Sequence, residues 1–192
     1  MKEIKDHYFF KAKKEGYPAR SVYKLIEAQE RFKFLGKGQK VLDLGAAPGS
    51  WTKYAAKVVG SDGFIVAVDL HRLKINQDNV VFLKEDIYQL ISSKELEEQA
   101  PFDVVLSDMA PKTTGRKDRD HYLSVDLART ALQIASRFLV KNGAFYCKVF
   151  DGEDFPEFKT EAQRIFRTVK IFKPKSSRKE SVEKFLFCKT KK

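Results

Sequence analysis

The sequence predicts an α/β protein built on a doubly wound, mostly parallel sheet. Three observations carry this. From residue 41 onward, short apolar runs alternate with stretches of helical periodicity, as in strand–helix–strand units whose crossovers cover both faces of a sheet. The first apolar run ends in a small-residue turn that opens directly into a helix. The last two runs flank a Pro/Ser/Arg-rich loop and so close the sheet as an antiparallel pair.

Ahead of the sheet, residues 4–15 and 19–32 read as two helices, the second with Val22, Leu25, Ile26 and Gln29 at helical spacing. VLDLG (41–45) is a buried strand, and SWTKYAAKVV (50–59) is a helix closed by Gly60. GFIVAVDL (63–70) and VVFLKED (80–86) are the second and third strands, and a helix follows over about 86–99. FDVVLSD (102–108) is the fourth strand. After the polar loop PKTTGRKDRD, residues 121–140 read as a long amphipathic helix, and GAFYCKVF (143–150) is the fifth strand. FPEFKTEAQRIF is helical, and RTVKIFK (167–173) and VEKFLFCKT (182–190) are the last two strands.

At about 100 to 200 residues per domain, 192 residues predict a single domain with one core, residues 1–40 forming basic helices packed on the sheet. Apolar residues at 43% and charged residues at 33%, with 10 Gly and 6 Pro, exclude disordered, collagen-like and low-complexity classes. The longest apolar stretches reach about five or six residues, far short of the ~18 needed to cross a bilayer. The opening MKEIKDHYFFKAKKEG mixes acids with bases and shows no long apolar region, so neither a secretory signal nor a transit peptide is expected. Two cysteines, Cys147 and Cys188, are too few for a disulfide scaffold, and three scattered histidines lack metal-ligand spacing. A soluble, metal-free protein of a reducing, cytoplasmic compartment is the expectation.

The net charge of +11 is unevenly placed. Residues 1–40 carry 11 Lys/Arg against 5 Asp/Glu, residues 157–192 carry 12 against 4, and residues 41–156 carry 14 against 17. Lysine clusters alone would equally suit a solvated surface. Basic flanks around an acidic centre instead suit a polyanion held at the periphery and a cation held in the middle. Nucleic acid is the obvious polyanion.

In an open α/β sheet, ligands bind outside the carboxyl ends of the strands. The first strand runs into Gly45-Ala46-Ala47-Pro48-Gly49, and the second ends at Asp69, 20 residues after Gly49, where an acid typically accepts hydrogen bonds from ribose hydroxyls. Dinucleotides and S-adenosylmethionine both fit a glycine turn plus that acid. A dinucleotide brings a pyrophosphate and wants G-x-G-x-x-G. This turn is G-x-x-x-G, and its Pro48 has no N–H to donate. Asp43, Asp69, Asp86 and Asp108 all stand at or beside strand ends, and such a cluster repels pyrophosphate and attracts a sulfonium. S-adenosylmethionine is the better fit, and an NAD-dependent oxidoreductase the poorer one.

DLGAAPGSW (43–51), LSDMAPKTTG (106–115), FYCKVFDGEDF (145–155) and KPKSSRKESVEKFLF (173–187), with ARSVYKLIE (19–27) upstream, together resemble the FtsJ-type RNA 2′-O-ribose methyltransferases nearly end to end. The resemblance implies a Rossmann-like S-adenosylmethionine-dependent methyltransferase fold, with a mostly parallel seven-stranded sheet and a final antiparallel strand. It implies a Lys-Asp-Lys-Glu tetrad at Lys24, Asp108, Lys148 and Glu183. Glu183 takes the last place over Glu180 because it follows SSR at the family's spacing and begins the last strand. For the cofactor it implies Gly49 and Trp51 in the turn, Asp69 at the ribose, Asp86 near the adenine and Asp108 near the methionine end.

A ribose 2′-hydroxyl is a weak nucleophile, so attack on a sulfonium methyl needs a proton acceptor and accurate placement. Lys148, embedded in the otherwise apolar FYCKVF, is the best candidate acceptor. The resemblance further implies RNA as methyl acceptor, most nearly a uridine ribose in large-subunit ribosomal RNA. A transfer-RNA ribose methyltransferase and a catalytically silent RNA-binding assembly factor are the alternatives, and the intact tetrad argues against the second.

Overall fold

The computed structural model describes residues 2–192, with side chains described from His7 onward. Its strands are β1 (Lys40–Leu44), β2 (Phe64–Val68), β3 (Val80–Leu83), β4 (Phe102–Ser107), β5 (Leu139–Phe150), β6 (Phe166–Phe172) and β7 (Glu183–Lys191). Its helices are α1 (Lys2–Lys14), α2 (Val22–Phe32), α3 (Ser50–Val59), α4 (Lys94–Gln99), α5 (Lys117–Phe138) and α6 (Phe155–Ile165). Among the described residues the strands make one sheet in the order β3-β2-β1-β4-β5-β7-β6. β1 pairs in parallel with both β2 and β4, so the strand order reverses between β1 and β4. β7 lies antiparallel between β5 and β6. This is the mostly parallel, doubly wound sheet with a final antiparallel strand that the sequence predicts.

Successive strand residues point to opposite faces, and that alternation sorts the core into two layers. Leu42, Leu44, Val66, Val105, Phe145 and Cys147 meet α5 and α6 on one face. Val41, Ile65, Val104, Leu106, Tyr146 and Phe185 meet α2 and α3 on the other. There the rings of Trp51, Tyr146 and Phe185 form a cluster, the Tyr146 centroid 5.5 Å from that of Trp51 and 5.0 Å from that of Phe185. The Tyr146 hydroxyl donates to the Lys24 carbonyl at 3.2 Å and so ties α2 to the sheet. Ala12 of α1 joins Val22 and Tyr23 of α2 in a small apolar cluster.

Three boundaries differ from expectation by four residues or more, each for a local reason. The helix expected over 86–99 is a 3₁₀ turn (Leu90–Ser92) followed by α4, because the Ser93 hydroxyl accepts from the Leu96 amide and caps a new helix. α5 starts four residues before the expected 121, inside a segment with no apolar periodicity. Its first turn carries Asp118 and Asp120, and Asp120 accepts from the amides of Thr114 and Gly115, so acids at the helix start replace burial as the nucleating influence. β5 starts at Leu139 instead of 143, and its register against β4 jumps from Phe102↔Leu139 to Val104↔Ala144. The jump is taken up by Asn142, which adopts a left-handed φ of 69°.

Candidate active site

A cleft of about 390 Å³ opens where the strand order reverses. Leu44 and Val68 at the ends of β1 and β2, and Asp108 just beyond β4, form its floor. Gly45, at φ 71°, lines it, and a Cβ there would collide with Met109. Asp69 holds the turn in place, one carboxylate oxygen accepting from the Ala47 amide at 2.9 Å and the other from the His71 amide at 2.7 Å. A carboxylate has about four lone-pair sites, so Asp69 keeps acceptor capacity toward the cleft. Asp86, Leu70, Ile87 and Tyr88 complete the side away from β4.

Asp69, Asp86 and Asp108 therefore share one cavity. Glu85, which was not singled out in the sequence, lines it as well; the signal available was its place beside Asp86 at the end of the third strand. Asp43 is only 1% exposed and is not among the lining residues. Its carboxylate accepts from the Thr52 hydroxyl at 2.6 Å. Burial pushes the Asp43 carboxyl up to about 7, with the Thr52 hydrogen bond opposing and the charges of Asp108 and Asp69 assisting.

Gly49 and Trp51 also lie outside the cavity lining. Gly49 has φ 107° and an added Cβ would stand 2.9 Å from Ile75, so this position needs glycine to make the turn into α3. Trp51 is 3% exposed, and its indole N–H donates to the Ser21 carbonyl at 2.9 Å.

At the edge of the cleft, on the α2 face, the structure brings Lys24, Asp108, Lys148 and Glu183 together. Lys148 donates from Nζ to the Asp108 carbonyl oxygen and, at 3.0 Å, to its carboxylate. Lys24 Nζ lies 2.7 Å from Glu183 and 3.7 Å from Asp108. Parity explains the gathering. Leu106 and Tyr146 face α2, so Asp108 and Lys148, each two residues further on, face it too. β7 runs antiparallel, so its first residue, Glu183, sits opposite Phe150 at the carboxyl end of β5. Two cations and two anions balance in a partly buried group, as such burial requires. Burial alone would raise the Glu183 carboxyl, but the charge and hydrogen bond of Lys24, the neighbouring Ser177 hydroxyl and the charge of Lys148 outweigh it and hold it below its ordinary value. Glu180 is exposed.

A cavity at the switch point rich in carboxylates, with apolar Leu70 and Ile87 among its walls, suits the ribose, base and cationic end of S-adenosylmethionine. Among the described residues no group of three or more His, Cys, Asp or Glu side chains is placed to hold a metal. Fold and cavity together define a Rossmann-like S-adenosylmethionine-dependent methyltransferase. The sequence profile of the FtsJ-like methyltransferases matches residues 17–191, and the chain belongs to that family. A protein of Nitratidesulfovibrio vulgaris named ribosomal RNA large subunit methyltransferase E is 51% identical, covering 98% of this chain and 94% of its own. A protein of that name from Bdellovibrio bacteriovorus is 46% identical over 98% and 97%. Among solved structures, a chain described as a ribosomal RNA methyltransferase of Plasmodium falciparum superposes with a TM-score of 0.79 at 28% identity, covering 91% of this chain and 98% of that one. Aeropyrum pernix fibrillarin, solved with natively bound S-adenosylmethionine, shares the fold at a TM-score of 0.63 and 13% identity, over 88% and 76%.

Proposed function

We propose that this chain transfers a methyl group from S-adenosylmethionine to the 2′-hydroxyl of a uridine ribose in large-subunit ribosomal RNA. The observation that carries the chemistry is the commitment of Lys148. Once it has given up its proton, the Lys148 amine has two N–H donors and one lone pair, and Asp108 offers an acceptor to each donor, its carbonyl and its carboxylate. The lone pair is left to accept the proton of a hydroxyl placed over it. Asp108 thus orients the acceptor, while Glu183 holds Lys24 beside it. When bound, S-adenosylmethionine supplies the electrophilic methyl. Asp69 and Asp86 are read as its ribose and adenine partners and Asp108 as facing its cationic end, with Gly49 and Trp51 serving through the shape of the turn.

The names of the relatives support the RNA class, and the basic flanks supply the charge it needs. We read residues 1–192 as one methyltransferase domain working in the cytoplasm, where free Cys147 and Cys188 suit a reducing compartment. The test is to map 2′-O-methyl positions lost when the gene is removed, and to add the purified chain with S-adenosylmethionine to large ribosomal subunits from that strain and to naked transfer RNA. Restoration of one large-subunit uridine is expected. Methylation of transfer RNA alone would transfer the assignment to that substrate, and methylation of neither would end it.

A further inference from the structure

A second pocket, of about 220 Å³, adjoins the tetrad on the side away from the cofactor cleft, lined by Arg20, Ser21, Lys24, Ser176, Arg178, Ser181 and Glu183. It forms where the two basic ends of the chain meet. Arg20 donates to the Ser176 carbonyl at 2.8 Å, and Glu27 of α2 accepts from the amides of Lys175 and Ser176. The start of α2 faces the same space, with Ser21 at its N-cap making no side-chain cap and no acid in its first turn. The positive end of the helix macrodipole is therefore left without a carboxylate of its own.

Ser176 is 2% exposed, and its hydroxyl has no hydrogen-bond partner among the described residues. A buried hydroxyl without a partner costs free energy unless something supplies one. The carboxylates within reach are committed elsewhere, Glu183 to Lys24 and Glu27 to backbone amides. The first amides of α2 are taken by the Ala19, Arg20 and Ser21 carbonyls, so the helix contributes its dipole, and two guanidinium groups, an ammonium and serine hydroxyls converging on that space make a site for a tetrahedral oxyanion.

We propose that this pocket binds a backbone phosphate of the substrate RNA, the one beside the ribose presented to Lys148. The proposal rests on the functional reading above and deepens it. Lys24 and Glu183 belong to both the pocket and the tetrad, so a phosphate seated there fixes the adjacent ribose a short distance from the proton acceptor. Phosphate contacts of this kind set register and orientation and carry no base information.

Two measurements on the S-adenosylmethionine-loaded protein test it. Inorganic phosphate is titrated at constant ionic strength, with chloride as the comparison, while the backbone amide resonances of Ser21 and Val22 are followed. Single-turnover methylation of undermethylated large subunits is measured in parallel with Arg178→Ala, Arg178→Lys and Ser176→Ala. Saturable shifts with phosphate and not with chloride are expected, weakened in Arg178→Ala. That variant should need about tenfold more substrate for half-maximal rate, as loss of a charge-assisted contact implies, with cofactor affinity unchanged and partial rescue in Arg178→Lys. Ser176→Ala, which removes only the hydroxyl, should lose affinity in the same direction. An absence of saturable shifts, or wild-type substrate dependence in both Arg178→Ala and Ser176→Ala, would overturn the proposal. Saturable phosphate binding by a wild-type chain that methylates no RNA would remove the functional reading and leave the anion site standing.

Discussion

Lys148 and Asp43 show how differently two charged strand residues of one sheet can be used. Lys148 reaches the cleft edge with its Nζ donating to both the carbonyl and the carboxylate of Asp108. Lys148→Ala should keep cofactor and RNA binding and lose single-turnover methyl transfer by roughly 10²-fold or more. Lys148→Arg should fail nearly as badly, since a guanidinium does not give up its proton at working pH; an arginine variant with over about a tenth of the wild-type rate would leave Lys148 a positioning residue. Asp43 is buried against Thr52, and its value of about 7 lies above the ordinary carboxylate value. The folded state therefore binds this proton more tightly than the unfolded chain. Its stabilising contribution is full below about pH 4 and is lost as pH rises through 7. Urea midpoints should show Asp43→Asn gaining on the wild type between pH 5 and 8, and parallel curves would refute the raised value. Asp69→Ala should weaken S-adenosylmethionine by roughly 1.5 to 3 kcal/mol in calorimetry, and unchanged binding would remove Asp69 from the ribose.

Helix α2 acts as one element of the site, because it is tied to the sheet at the residue that carries the tetrad lysine. The Tyr146 hydroxyl holds the Lys24 carbonyl, and its ring packs against both Trp51 and Phe185. Tyr146→Phe should cost about 0.5 to 1.5 kcal/mol of stability. It should also lower the single-turnover rate while leaving cofactor affinity intact, since Lys24 loses its anchor. Trp51→Ala empties the buried centre of that layer, and a loss of about 3 to 5 kcal/mol is expected in equilibrium unfolding. A loss under about 1 kcal/mol in that experiment would contradict its placement in the core.

Across the whole molecule, the two basic flanks are far apart in sequence and adjacent in space. Arg20 and Glu27 of the first flank bind the backbone of residues 175–176 in the last. The two flanks therefore meet beside the tetrad, and RNA binding there should release counterions. Log affinity should fall linearly with log salt, and replacing Lys14, Lys175 and Lys179 by Ala should lower the slope by about two to three, at roughly 0.7 to 0.9 per phosphate. Cofactor affinity should not change. A salt-independent affinity would show the flanks to be structural.

Strand identity, the turn after β1 and the acids at strand ends could be read directly from the chain, because apolar alternation and small-residue turns are local properties. The cofactor class was legible for the same reason: Asp69, Asp86 and Asp108 each follow an apolar run. The helix starts at Lys94 and Lys117 were not, since the Ser93 cap and the Asp120 bridge act without any apolar period. Nor could sequence separate Asp43, which turns inward to Thr52, from the acids that face the cleft, or show that Trp51 spends its N–H on Ser21. The chain alone determined which residue types are available and which strand face each occupies. Only the tertiary structure decided which of them meet. The insertion of β7 antiparallel between β5 and β6 carries Glu183 to Lys24, 159 residues away, and makes one charge-balanced group from four separated segments.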